Sequence, residues 1–377
     1  MTTGTTKAES MRSIPMLDLH TEYKLFEDEV RAAVHTVLES QHFIGGPPVV
    51  ELERRLSEMI GVPHAVAVSS GTDALLCALM AMGVGPGDEV VVPNFTFFAT
   101  AGSVFRTGAT PVFADVDPQT FNVTAETLER VMTSRTKVVI PVHLYGQCAD
   151  MPSIMELADR HDVLVLEDAA QAFGASIGDR KAGTFGHLAS LSFYPTKNLG
   201  GFGEGGMILG RDEALVETCK QLRNHGQTSR YIHERVGGNF RLDTMKASVL
   251  LVKTRYVEEF TIRRRAIAQM YGELLKGAAV TTPHVAADRY HVYHQYTLQV
   301  ERRDELQAFL SDRGIGSTIY YPLALHLQPC FSHLGYEKGS LPVAESLSRN
   351  VLSIPCHPML SDDDIQYVAD CIREFAG

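Results

Sequence analysis

The sequence predicts an α/β protein: a large domain built on a mostly parallel sheet, followed by a small α+β domain. Three observations carry this. At 377 residues the chain exceeds what one small core accommodates. From His64 to Leu166 short β-branched runs alternate with helical stretches, the pattern of strand–helix–strand units. Beyond residue 260 the regular alternation is lost. The expected division is a flexible tail over 1–13, a large domain over 14–260 with helices at its start, and a small domain over 261–377.

Taken in order, Leu25, Phe26, Val30, Val34, Val37 and Leu38 recur at helical spacing and predict a helix over Thr21–Ser40. Gly45-Gly-Pro-Pro48 ends it, and a second helix covers Val49–Met59. Strands follow at His64–Val68, Glu89–Pro93, Thr110–Ala114, Lys137–Pro141 and Val163–Leu166. Between them lie a helix ending near Met82, one opening at Asn94, and others at Ala125–Met132 and Met151–His161. Two more strands, His187–Phe193 and Met207–Leu209, flank a glycine-rich stretch, and Asp212–Arg223 is a helix. Asn224–Asn239 reads as a long functional loop. A long helix is expected over Leu242–Leu274, with Arg263–Arg265 on a solvated face. The small domain is expected to hold strands at Tyr290–Val300 and Gly316–Tyr320 and a helix at Arg302–Arg313.

Composition narrows the function. The net charge of −11 disfavours nucleic acid and anionic membrane as partners. No apolar run is long enough for a transmembrane helix, and the first residues carry no signal-peptide core. Six scattered cysteines without a Cys-x-x-Cys pair suit reduced thiols in a cytoplasm, and no metal site is expected.

Ligands of open α/β sheets bind beyond the carboxyl ends of the strands. Polar clusters sit there: Ser70-Gly-Thr72, His143-Leu-Tyr-Gly-Gln147 and Glu167-Asp-Ala-Ala-Gln171. The first is an anion site at a helix N-terminus, or plain N-capping by Ser70 or Thr72. In the last, Asp168 caps the next helix or holds a protonated ring nitrogen, with Gln171 one turn on. Leu191–Gly206 holds one lysine, Lys197, followed by five glycines. Lys197 is a surface lysine in a flexible turn, or an amine poised to bond a carbonyl. Together the set suits pyridoxal phosphate: N–H donors for the phosphate, a flat partner for the ring, an anion for the pyridine nitrogen and a lysine for the aldehyde.

At this point the chain resembles the DegT/DnrJ/EryC1/StrS sugar aminotransferases, from about Ile14 to the C-terminus. The matching segments include Phe43-Ile-Gly-Gly-Pro, Ser70-Gly-Thr-Asp-Ala-Leu, Pro93-Asn-Phe-Thr-Phe, Glu167-Asp-Ala-Ala-Gln, Ser192-Phe-Tyr-Pro-Thr-Lys-Asn, Arg223-Asn-His-Gly and Gly238-Asn-Phe-Arg-Leu-Asp. The resemblance implies fold type I, the aspartate aminotransferase-like fold, and a homodimer with shared active sites. It implies that Lys197 carries the cofactor and moves the substrate's proton, that Asp168 pairs with the ring nitrogen, and that Gln171 lies near the phenolic oxygen. Phe97 would stack on the ring. Gly71, Thr72 and Ser192 would hold the phosphate, completed by Asn239 from the second subunit.

The resemblance further implies glutamate as amino donor and a nucleotide-linked keto-sugar as acceptor, with the cofactor passing through its pyridoxamine phosphate form. Local likeness in Tyr145-Gly-Gln-Cys-Ala-Asp150 and His225-Gly-Gln points to enzymes acting on UDP-2-acetamido-3-keto-glucuronate, in which Arg241 would contact the sugar across the dimer. The Tyr320–Gln328 loop and Phe240 depart from that pattern and leave the sugar open. Tyr321 and His326 face the sugar or pack the small domain, and His143 has the same two readings. Alternatives are amination at C4, a cyclitol acceptor, a sugar dehydratase and a non-catalytic regulator. Dehydratases of this family carry histidine where Lys197 stands.

Overall fold

Residues 12–377 are described by the structure, a computed structural model. Of the tail expected over 1–13, residues 1–11 lie outside the described residues. Arg12 pairs with Asp364 and Ile14 bridges Ile315. Three helices follow: α1 (Leu19–Lys24), α2 (Glu27–Ser40) and α3 (Pro47–Ile60). The single helix expected over Thr21–Ser40 is broken at Leu25–Phe26. Phe26 leaves helical backbone at φ −134°. Its ring is buried with Val30, Val249, Val252 and Phe260, and an uninterrupted helix would not deliver it there.

Strands and helices then alternate: β1 (His64–Val68), α4 (Gly71–Ala81), β2 (Glu89–Pro93), α5 (Ala99–Arg106), β3 (Thr110–Ala114), α6 (Ala125–Glu129), β4 (Thr136–Val139), α7 (Met151–His161) and β5 (Leu164–Asp168). A small hairpin, β6 (Ser176–Ile177) and β7 (Arg180–Lys181), precedes β8 (Leu188–Ser192) and β9 (Gly206–Gly210). Seven strands form one sheet in the order β1-β9-β8-β5-β4-β2-β3. Pairs from β8 to β3 are parallel, and β9 runs antiparallel to both β8 and β1. The sheet is the mostly parallel one expected. The two-residue period of a strand explains its two cores. Ala65, Ala67, Val91, Val139 and Val165 face α3, α7 and α9 (Thr244–Lys253), while Val66, Val68, Val90, Val92 and Val138 face α4, α5 and α8 (Glu213–Arg223).

The helix expected to open at Asn94 begins only at Ala99. Asn94 is occupied elsewhere: its N–H donates to Ala114 O, and its Oδ1 accepts from the His326 N–H. The Asn224–Asn239 loop contains a small hairpin, β10 (Gln227–Ser229) and β11 (Ile232–His233). The long helix expected from Leu242 is two, α9 and α10 (Val257–Leu274), because Tyr256 and Arg255 at the break are tied to Glu29 of α2. Arg263–Arg265 do not form a solvated face. Arg264 is buried against the Cys356 carbonyl, Arg263 reaches Leu360 O, and Arg265 stacks on Tyr290.

In the C-terminal part, α10, β13 (Tyr296–Gln299), α11 (Arg303–Ser311), β14 (Val351–Ile354) and α13 (Asp362–Ala376) enclose a third core around Tyr271, Tyr296 and Leu298. The strand expected over Tyr290–Val300 is divided. β12 (Arg289–Tyr290) pairs with β6 and β13 pairs with β14, so the chain between them crosses from one sheet to another. Gly316–Tyr320 makes only an isolated bridge, Thr318 to Ser353. The helix α12 (Pro342–Asn350) packs between β14 and the main sheet. Among the described residues no helix is long and apolar enough to cross a membrane.

Candidate active site

A cavity of about 520 Å³ opens at the carboxyl ends of the parallel strands. Gly71, Thr72, Phe97, Asp168, Gln171, Ser192, Lys197 and Tyr321 all line it. Topology explains the meeting. Ser192 ends β8, Asp168 ends β5, and Gly71 opens α4 after β1. Strand β9, between β1 and β8, brings the Ser70–Thr72 turn onto Ser192. The approach is close: a Cβ on Gly71 would stand 2.7 Å from Ser192 Cβ. Only glycine fits there without displacement. Ser70 is the cap of α4, its side chain accepting from the Asp73 N–H. That leaves the Gly71 and Thr72 N–H groups as first-turn donors without helical partners, on residues that line the cavity.

Two carboxylates leave β5 with opposite fates. Glu167 is fully buried and accepts from His143 and from the N–H groups of Gly183, Phe185 and Gly186. Burial pushes its pKa up, but these bonds outweigh it and hold the carboxyl below its usual range. His143 Nδ1 accepts from the Ala149 N–H at 3.2 Å, so Nε2 carries the proton and donates to Glu167 at 2.9 Å. His143 is thereby a buried strut of the strand end. Asp168 is also buried but under-supplied with donors, receiving Thr100 Oγ1 at 2.9 Å and the Ala170 N–H at 3.2 Å. Burial raises its pKa despite those bonds and the nearby Lys197 charge. A carboxylate so placed favours a cationic partner in the cavity.

Lys197 is half-buried at the wall, and loss of water around its ammonium lowers its pKa to about 8, with Asp168 opposing the shift. Near neutral pH such a lysine supplies an appreciable fraction of free amine. Gln171 is oriented by its partners: Oε1 accepts from the Tyr145 N–H at 2.7 Å, and Nε2 donates to the Tyr321 hydroxyl at 3.1 Å. Phe97 is more than half exposed, with its ring centroid 6.1 Å from that of Tyr321. The wall therefore offers an aromatic face, an amide donor, an amine, a buried carboxylate and the N-terminal turn of α4 beside Ser192.

A model of the DegT/DnrJ/EryC1/StrS aminotransferase family matches residues 25–373. The chain belongs to this family. A Geobacillus stearothermophilus protein described as a pleiotropic regulatory protein is 47% identical over 96% of this chain and 98% of its own. An Acidithiobacillus ferrooxidans protein, UDP-N-acetyl-3-dehydro-alpha-D-glucosamine 3-aminotransferase, is 43% identical over 96% of this chain and 97% of its own. The crystal structure of S. venezuelae DesV superposes with a TM-score of 0.94 at 42% identity, covering 97% of this chain and 98% of that one.

Besides His143, three of the candidate cofactor or sugar contacts do not line this cavity. Asn239 is exposed on the loop beyond the β10–β11 hairpin, bridged to Asn224. Arg241 sits in a separate groove beside Glu53 and Arg223, one guanidinium nitrogen on Asn224 and its Nε buried without a partner among the described residues. His326 is buried, held between Asn94 and Glu345, and packs the loop that carries Phe95–Phe97. Other wall residues escaped the sequence reading: Glu204, His294, Gln295 and Tyr320. Glu204 was within the glycine-rich stretch already noticed. His294 and Gln295 were concealed in a segment read as one strand.

Proposed function

We propose that this aminotransferase uses pyridoxal phosphate to move the amino group of an amino acid, L-glutamate, onto C3 of a nucleotide-linked keto-sugar in amino-sugar biosynthesis. One observation carries the cofactor assignment. A glycine cradle on Ser192, a buried carboxylate short of donors and a lysine with a pKa of about 8 share one cavity. This donor set fits a phosphorylated pyridine aldehyde. Gly71, Thr72 and Ser192 would hold the phosphate, Asp168 the ring nitrogen, Gln171 the phenolic oxygen, and Phe97 one face of the ring.

When bound, the cofactor supplies an electron-withdrawing ring that stabilises negative charge at the substrate's α-carbon. The chain's residues do the rest. Asp168 would favour a proton on the ring nitrogen by presenting a buried negative charge. Lys197, as free amine, would take and hold the proton leaving the substrate's α-carbon, and would hold a proton in the same way in the return direction with the keto-sugar. Phe97, Tyr320 and Tyr321 would give the substrate an aromatic wall to pack on. Asn239 and Arg241 would enter this cavity from a second copy of the chain, in a homodimer. Their position outside their own chain's cavity, with Asn239 exposed, supports this. The 3-keto acceptor is supported by the likeness to the Acidithiobacillus 3-aminotransferase. Six unpaired cysteines agree with a cytoplasmic setting.

The test is a half-reaction. Enzyme loaded with pyridoxamine phosphate is offered 3-keto and 4-keto nucleotide sugars and inososes, and recovery of the pyridoxal form is followed by absorbance. Fastest recovery with a 3-keto nucleotide sugar is expected. Recovery only with an inosose, or with none, would overturn the acceptor assignment.

A further inference from the structure

His294 lies in the crossing between β12 and β13, almost fully buried, and presents one edge to the cavity that holds Lys197. Its Nδ1 is 3.2 Å from Oδ1 of Asn198, the residue next to Lys197. The Asn198 amide is oriented independently, because its Nδ2 donates to Val292 O at 3.2 Å. Oδ1 is therefore the atom facing the imidazole, and Nδ1 must be the N–H. In a neutral imidazole this leaves Nε2 as a bare acceptor. The ring is neutral: burial first, then the charges of Lys197 and of Arg264 behind it on α10, push its pKa well below the usual histidine value. Asp168 and Glu204 are the acids on the same cavity wall, and neither is hydrogen-bonded to His294. Among the described residues Nε2 has no hydrogen-bond partner, yet it is not among the sealed-off polar atoms, and it belongs to a ring that lines the cavity.

We infer that His294 is a positioning residue for Lys197, its Nε2 lone pair accepting a hydrogen bond from the lysine nitrogen and aiming that nitrogen at the substrate's α-carbon. The inference rests on the reading of Lys197 as the proton-moving group. A lysine released from the cofactor has four rotatable carbons and no fixed acceptor of its own; the imidazole supplies one on a ring that cannot itself become charged. Asn198 gives the unit its register, since it joins the residue after the lysine to the crossing that carries the histidine. No proton passes to His294. The bond is Lys197 N–H to Nε2, and the proton taken from the substrate stays on Lys197 until it is returned.

The test uses two isosteres in the holoenzyme. His294→Asn keeps an N–H for Asn198 and removes the Nε2 acceptor; His294→Gln places an amide oxygen near the Nε2 position. With matched thermal stability, the Asn variant should slow the amino-acid half-reaction about tenfold or more with KM within roughly threefold, the mark of lost orientation. It should also lower, by about half a unit or more, the pH midpoint of the visible band that bound cofactor gives with Lys197, since an acceptor favours the protonated form. The Gln variant should recover most of both. Equal behaviour of Asn and Gln, or an unmoved midpoint in Asn, overturns the inference. If the unaltered protein gives no such band with pyridoxal phosphate, it is the cofactor reading that fails, and the two failures are thereby distinguished.

Discussion

Replacing Asp168 by Asn should make the cofactor-free protein more stable and the enzyme far slower. The geometry permits the exchange without steric change. The amide oxygen can accept from the Ala170 N–H in place of Oδ1, and the amide nitrogen can donate to Thr100 Oγ1 in place of accepting from it. Thr100 can turn its own proton to Thr96 Oγ1, 3.3 Å away. What is lost is a buried negative charge. Because burial raises the folded pKa of Asp168 above 3.8, its ionisation costs folded-state stability as pH climbs past that value, most fully above the raised pKa. Removing the charge should therefore stabilise the cofactor-free chain by about 1–3 kcal/mol at pH 7, and the advantage should shrink toward pH 4. On the proposed function the same charge would also support the cofactor's ring nitrogen during proton transfer. Its loss should remove about 3–4 kcal/mol of transition-state stabilisation, or about two to three decades in kcat. Urea unfolding across pH 4–8 and stopped-flow half-reactions at saturating cofactor measure the two sides. A variant that is less stable at pH 7, or that keeps its rate within threefold, refutes the reasoning.

Further outcomes are expected. Labelling of Lys197 by an amine-specific acylating reagent in the cofactor-free protein should rise through a midpoint near pH 8, well below that of the surface lysines; a midpoint near 10 would contradict the desolvated setting. Gly71→Ala puts a Cβ 2.7 Å from Ser192 Cβ and should cost about 1–3 kcal/mol of stability and weaken cofactor binding about tenfold, read by calorimetry and fluorescence titration; unchanged affinity would remove the cradle. Lys197→Ala and Arg241→Ala should each be nearly inactive alone, and a mixture of the two should regain up to about a quarter of the activity if sites are shared in a dimer. No recovery in a mixture shown to exchange subunits would place Arg241 outside the partner's site.

The strand ends were readable because they are local chemistry. A β-branched run such as Val163–Leu166 predicts a buried strand, and the polar residues that follow it must stand at its end. Period and composition located Gly71, Thr72 and Asp168 at such ends and Lys197 in the glycine-rich stretch between two strands, whereas Ser192 is marked only by the family resemblance; the α/β class follows from the same alternation. Breaks in helices were not readable: nothing local distinguishes Phe26, whose burial against Val249 and Phe260 interrupts the helix, from a residue that continues it.

Hydrogen-bond period and side-chain alternation act over a few residues, so the main-sheet strands and the polar residues at their ends are legible in the sequence, while the helix breaks and the strands of the C-terminal part are not. Which of those ends meet is settled by the tertiary fold. The antiparallel insertion of β9 sets Ser70–Thr72 against Ser192. The crossing from β12 to β13 brings His294 to the cavity wall, while His326, equally polar and equally buried, is turned away to Asn94 and Glu345. Those choices depend on long-range packing and on which buried donors find acceptors, and no short stretch of sequence encodes them.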